Sequence, residues 1–210
     1  MDQRTHLKRI LVALGSSIIT DARSRNKLAL TMIYFIYSFV RCLESKPNNG
    51  HLAVAALNLP SVMKRITPSA IAPPLHVTQN IDDLSLRSLQ SLPESVATTA
   101  PENFIQMHGS LFKTRCLSCN HLKHGYEPYL AASFKDCINL KSFINIPSDK
   151  LPRCGGDEWS GSNRFGRCGG LLRPDVVWFG EIPPLMGEIA RKITWCDLLI
   201  VVGTSSTVSF

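Results

Sequence analysis

Two pairs of cysteines constrain this chain more than any other feature. Cys116 and Cys119 form a C-x-x-C step, and Cys154 and Cys168 follow, each directly before two glycines. A C-x-x-C spacing lets two thiolates reach one tetrahedral ion from a single turn. Glycine permits the tight backbone that a metal knuckle needs. The second pair is spaced too widely for a simple knuckle, so Gly155 to Arg167 has to loop out. Four thiolates leave no open position on the ion, which makes it a single structural Zn2+. A redox pair and four unrelated thiols stay open as alternatives. Cys42 and Cys196 lie within apolar runs and are expected in the core, while Cys137 is the substitute ligand if one of the four fails. The count of seven is odd, which disfavours a closed disulfide set. The opening Met1-Asp2-Gln3-Arg4-Thr5-His6 has no apolar signal core, and its early Asp2 argues against a transit peptide. A reducing, intracellular compartment is therefore expected, nucleus or cytoplasm ahead of the mitochondrion.

From residue 113 to 170 apolar periodicity fades, and loops are expected to dominate in a module held by metal. Outside it the chain reads as regular α/β structure, with 44% hydrophobic residues to form a core. Ile10 to Leu14 is a short apolar run that ends in Gly15-Ser16-Ser17, the profile of a buried parallel strand and a tight turn. Leu28 to Val40 is apolar on every face, too short to span a bilayer, and suits a buried helix. After the break at Pro47-Asn48-Asn49-Gly50, the spacing of Leu52, Ala55, Ala56 and Leu59 predicts a second helix. Strands are expected at Leu75–Thr78, Val176–Phe179 and Leu198–Val202, with a short helix and then a loop between Ser85 and Asn103. Strands alternating with helices imply a Rossmann-like, mainly parallel sheet over residues 1–112 and 171–210, with the small four-cysteine zinc-binding module of 113–170 inserted.

In such sheets ligands bind beyond the carboxyl ends of the strands. Three predicted strands end in small or polar turns: Gly15-Ser16-Ser17, Gln79-Asn80-Ile81-Asp82 and Gly203-Thr204-Ser205-Ser206. An amide and a carboxylate two residues apart can hold a sugar or a carboxamide, and backbone N–H groups with hydroxyls can cradle phosphate. Each motif alone is also an ordinary turn. His108 precedes a glycine that would allow close ligand approach, which makes it a candidate general base. The formal net charge of +7 suits a basic soluble surface or an acidic partner such as a dinucleotide phosphate. No long Lys/Arg cluster interleaved with aromatics occurs, so direct nucleic-acid binding is not expected.

Taken in order, Thr78-Gln79-Asn80-Ile81-Asp82, His108-Gly109, the two cysteine pairs, Val177-Trp178-Phe179-Gly180-Glu181 and Gly203-Thr204-Ser205-Ser206 resemble the sirtuin family. The run from Cys168 to Glu181 is similar to its branch with broad deacylase activity. The resemblance is dense from about residue 75 to 208. It implies an NAD-dependent protein-lysine deacylase that transfers the acyl group to ADP-ribose and releases nicotinamide. On that resemblance His108 is the base, and Gln79, Asn80 and Asp82 surround nicotinamide and ribose. Gly203, Thr204 and Ser205 contact cofactor phosphates, and Val177 to Glu181 is the strand along which an acyl-lysine peptide adds.

The family's first cofactor loop reads Gly-Ala-Gly-x-Ser and is followed by Pro-x-Phe-Arg-Gly. Here Gly15 fits, but Ser17 stands at the second glycine, Ile19 at the serine, and no Phe-Arg-Gly occurs. Family members also continue beyond the position of Phe210. Both departures keep an alternative open, a catalytically inactive or fragmentary zinc-bearing interaction module. The succinyl- and malonyl-selective branch reads its acid with Tyr-x-x-Arg on a helix. Tyr37 matches the tyrosine, Val40 stands at the arginine, and Arg41, four residues from Tyr37, can share its face.

Overall fold

The computed structural model describes residues 38–68, 70, 72–126, 151–155, 168–178 and 181–203. The expected first strand and most of the apolar helix fall outside these residues, as does Cys137. The chain divides into two compact units. One comprises Met1–Arg41 and Arg115–Arg173, the other Cys42–Thr114 and Pro174–Phe210.

In the second unit, residues 38–44 run helical into its start. Helix α1 (Asn49–Ala56) then begins at the predicted break, because Asn48 caps it. The Asn48 side chain accepts from Gly50 and His51 N–H, and His51 Nδ1 accepts from Asn48 N–H in return. The predicted helix stops short of Leu59, since Pro60 opens α2 (Pro60–Ile66) and sets Leu59 extended. Strand β1 (His76–Thr78) leads through α3 (Leu84–Gln90) and α4 (Glu94–Ala97) to a 3-10 turn at Ala100–Asn103 and strand β2 (Phe104–Gln106). β1 and β2 pair in parallel, with Val77 opposite Ile105 and Thr78 opposite Gln106. This is a strand–helix–strand crossover, as the alternation of elements predicts.

The loop expected before Asn103 is instead a series of helical turns. Pro93 and Pro101 start two of them, and Leu92, Val96 and Phe104 pack on Ala55, Leu89 and Ala100. The opposite layer is α5 (Met186–Thr194), whose Ile189 and Met186 pack with Leu75, Val77, Ile105 and Met107.

A second sheet has the order β4–β3–β5, from β3 (Gly109–Cys116), β4 (Leu122–His124) and β5 (Leu172–Val176). The division between units falls within β3 and within β5. β5 corrects the strand expected at Val176–Phe179: it ends where that strand was to begin. Pro174 makes the segment read as a breaker, but among the described residues β5 is an outer strand of its sheet, where a proline costs no ladder bond. Leu198–Val202 forms no strand among the described residues, and all five side chains are exposed. A two-faced parallel strand is buried only between neighbours, and no described strand pairs with this run. Cys196 is exposed rather than in the core. It sits in the turn that closes α5, where its Sγ donates to Ile193 C=O at 3.1 Å.

Candidate metal centre and nucleotide site

The metal centre is built by β3, its turn into β4, and the segments on either side of residues 156–167. Cys116 ends β3. Asn120, in the left-handed region at φ 56°, turns the chain so that Cys119 faces back. Reciprocal backbone bonds join the second pair: Cys154 N–H to Gly170 C=O and Gly169 N–H to Cys154 C=O, both 2.8 Å, with Leu172 N–H to Pro152 C=O at 3.0 Å. Leu117 N–H bonds Leu171 C=O at 2.9 Å and ties the two pairs together. Gly170 has to be glycine, since a Cβ there would overlap the Ser118 hydroxyl and lie 2.8 Å from Cys116 Sγ.

The four sulfurs lie within 4.8 Å of one another. Cys116 to Cys168 and Cys119 to Cys154 are each 3.7 Å. A tetrahedron with Zn–S of about 2.3 Å has edges of about 3.8 Å, whereas a disulfide would bring sulfurs to about 2 Å. The cage therefore has the dimensions of a tetrathiolate ion, and the donor set fits Zn2+.

Electrostatics agree with that fit. Burial pushes the Cys116 thiol up, but N–H groups of Cys119 and Ser118 and hydrogen bonds from Cys119 and Cys168 bring it down to about 7. Burial and the neighbouring sulfurs of Cys119 and Cys116 push Cys154 up to about 12. The cage stabilises one thiolate readily and resists further negative charge, so full ionisation needs a cation at its centre.

The polar site lies in the other unit, where hydrogen bonds bring the β1 end beside the turn after β2. Met107 N–H bonds Thr78 C=O, and Leu111 N–H bonds Ile81 C=O, both at 2.9 Å. Between them His108 Nδ1 lies 3.0 Å from Gln79 C=O. A carbonyl only accepts, so Nδ1 carries the hydrogen and Nε2 is the basic nitrogen of the neutral ring. Val177 N–H bonds His108 C=O at 2.9 Å, which fixes the main chain as well.

Gly109, at φ +77°, admits the neighbouring strand, since a Cβ there would overlap the Asp175 carbonyl of β5. Asn80 is exposed, with its N–H on Thr78 Oγ1 at 3.1 Å. Asp82 accepts from Leu84 N–H at 3.0 Å. Burial raises its pKa above the ordinary carboxylate range, against the opposing Leu84 bond. A carboxylate can take further donors, so Asp82 retains capacity for a hydroxyl.

Val177 and Trp178 continue past β5 without strand pairing. Trp178 and Glu181 close a turn, Glu181 N–H to Trp178 C=O at 2.9 Å and Trp178 N–H to Glu181 Oε2 at 3.1 Å. Of the strand expected over Val177–Glu181, Val177, Trp178 and Glu181 are described. Gly203 is exposed at φ +69°, and Arg41 is exposed on the helical residues 38–44. Gly15, Tyr37, Phe179, Gly180, Thr204 and Ser205 lie outside the described residues. Sequence reasoning missed Asp83, which accepts from the side chains of Gln106 and Ser110 on either side of His108.

Comparison with known proteins points one way. The Sir2 family profile matches residues 17–209. A dog protein named mitochondrial NAD-dependent protein deacylase sirtuin-5 is 37% identical over 187 residues, 85% of this chain and 51% of that one. An NAD-dependent protein deacylase of Pyrococcus furiosus is 32% identical over 180 residues, 83% of this chain and 53% of that one. The chain spans about half the length of these relatives. Among solved structures, a Sir2 homologue–NAD complex aligns at TM-score 0.53 and 27% identity, covering 88% of this chain and 56% of that one. A Sir2 homologue mutant with ADP-ribose aligns at 0.54 and 28%, covering 88% and 57%.

Proposed function

The chain belongs to the Sir2 family, and from that premise we propose that it is an NAD-dependent protein-lysine deacylase whose general base is His108. The observation that carries the proposal is the contact of His108 Nδ1 with Gln79 C=O at 3.0 Å. It leaves Nε2, not Nδ1, as the ring nitrogen that can accept a proton. The same bond couples the histidine to the segment Gln79-Asn80-Ile81-Asp82, whose amides and carboxylate suit nicotinamide and ribose. Gly15, Gly203, Thr204 and Ser205 are proposed to complete the cofactor contacts. When bound, NAD supplies the ADP-ribosyl acceptor for the acyl group. Cys116, Cys119, Cys154 and Cys168 would hold one structural Zn2+. Residues 1–112 and 171–210 are proposed as the nucleotide-binding part and 113–170 as the zinc module.

The acyl-lysine peptide is proposed to lie along Val177, Trp178, Phe179, Gly180 and Glu181, and Tyr37 with Arg41 is the pair proposed to meet an acidic acyl group. Names of the animal relatives, which include "mitochondrial", support a mitochondrial location over the nucleus or cytoplasm expected from sequence. No helix among the described residues is long and apolar enough to cross a membrane.

The test is mass-spectrometric detection of deacylated peptide and nicotinamide from NAD and an acyl-lysine peptide. Replacing a general base costs about 10²–10⁴ in rate, so His108→Ala should lose at least about 100-fold. Unchanged turnover in that variant would remove His108 from its role. The second reading, a non-catalytic zinc-bearing module, rests on the missing Phe-Arg-Gly. It is supported if the chain neither binds NAD in calorimetry nor turns over peptide.

A further inference from the structure

Asp83 is 2% exposed and adopts the left-handed region at φ 53°. Both features are unusual for an aspartate ahead of a helix. Aspartate at the start of a helix ordinarily caps it, yet Asp83 makes no cap bond to α3. Asp82 takes that task, accepting from Leu84 N–H at 3.0 Å. Asp83 is turned inward instead. Its Oδ1 accepts from Ser110 Oγ at 2.6 Å and from Gln106 Nε2 at 2.5 Å.

These two donors are the second residues on either side of His108, one closing β2 and one in β3. Each is itself fixed by a further partner. Ser110 Oγ accepts from Phe112 N–H at 3.0 Å, and Gln106 Oε1 accepts from Lys113 Nζ at 3.2 Å. One buried oxygen thus grips both arms of the turn that presents the imidazole.

We propose that Asp83 is a positioning residue, a clamp on Gln106 and Ser110 that holds the His108 turn in register with the end of β1. It touches neither substrate nor cofactor in this reading. The Gln79 carbonyl sets the imidazole tautomer only while the turn keeps its place, since a hydrogen bond of 3.0 Å weakens steeply with displacement. The clamp also accounts for two adjacent aspartates with different tasks, Asp82 at the helix start and Asp83 beneath the turn. Its catalytic consequence rests on the reading of His108 as the base, but the clamp itself does not.

Asp83→Asn keeps an Oδ1 acceptor of the same shape, and Asp83→Ala removes it. In protein labelled with ¹⁵N-histidine, the His108 signals, identified by their loss in His108→Gln, should match wild type in Asp83→Asn. In Asp83→Ala they should report mixed tautomers. For deacylation, Asp83→Ala should lower kcat about 10- to 100-fold with KM for NAD little changed, as small misplacements of catalytic groups do. Asp83→Asn should stay within about threefold of wild type. Should Asp83→Ala fail to fold, Ser110→Ala removes one arm of the clamp and is read by the same signals. A folded Asp83→Ala or Ser110→Ala with wild-type His108 signals overturns the proposal. If the wild-type chain shows no turnover, the imidazole signals still decide the clamp, so the deacylase reading can fail separately.

Discussion

In the unit containing Arg115–Arg173, burial centres on sulfur. Cys116 and Cys154 are almost wholly enclosed, and the one apolar side chain of that cluster is Leu172, with Cys119 and Cys168 packed around it. In the unit containing Cys42–Thr114, two clusters of aliphatic side chains carry the core, Ala55–Leu89–Ala100 and Ile105–Met107–Ile189. Among the described residues the first packs one aliphatic side chain against its four sulfurs, and the sulfurs around Cys154 oppose its ionisation. The second is built as a helix-backed strand pair and needs no ion. The difference teaches where each kind of function can sit. A closed tetrathiolate offers no reactive position, whereas the strand-and-helix unit can leave a histidine and a carboxylate at its strand ends.

If that contrast is right, chelation should separate the two regions. Structural zinc contributes about 10–16 kcal/mol in small metal-held folds, so stripping it should unfold residues 115–126, 151–155 and 168–173 outright. Hydrogen exchange should show protection lost there and retained at β1 and β2. Equal loss in both regions would break the comparison.

A cavity in the other unit should cost less but act without metal. Phe112 is 1% exposed, and Phe112→Ala should destabilise by about 3–5 kcal/mol in urea unfolding of the zinc-loaded protein. Gly109→Ala comes next, at about 2 kcal/mol or more, because it combines a positive φ with overlap on the Asp175 carbonyl.

The smallest effect concerns Asp82. Its folded pKa is raised by burial, so the unfolded chain releases this proton first as pH rises. Stability present below the ordinary carboxylate range is then lost as pH climbs through the raised value. Asp82→Asn keeps the bond from Leu84 N–H and removes the buried charge. At pH 7 it should raise Tm by on the order of 1–2 °C while weakening NAD binding in calorimetry, the exchange expected at a functional carboxylate. A fall in Tm would place the stabilising role of Asp82 above its charge cost.

Much of this was legible in the sequence where chemistry and spacing coincide. The cysteine pairs with their glycines announce the cage, and the polar turn after β1 announces the strand end. β5 was hidden by Pro174, tolerable because among the described residues the strand is an outer one of its sheet. β3 was hidden because Ser110, Thr114 and Cys116, small or polar residues, share its buried face with Phe112 alone as a large apolar side chain, so its period-2 signal carries little hydrophobic contrast. Cys196 looked apolar in sequence, but the face of α5 that packs is set by Met186 and Ile189, and the chain past its end turns outward. The Asp83 clamp could not be read at all, since it depends on which of two adjacent aspartates points inward and on groups 23 and 27 residues away.

The central physical claim is that four thiolates from two cysteine pairs share one tetrahedral ion. Cobalt substitution of the reduced, purified protein tests it directly. One Co2+ per chain should bind with the intense visible bands of a tetrahedral tetrathiolate, and Cys116→Ser, Cys119→Ser, Cys154→Ser and Cys168→Ser should each change them. Absence of those bands, or a spectrum indifferent to Cys154→Ser and Cys168→Ser, would contradict the account.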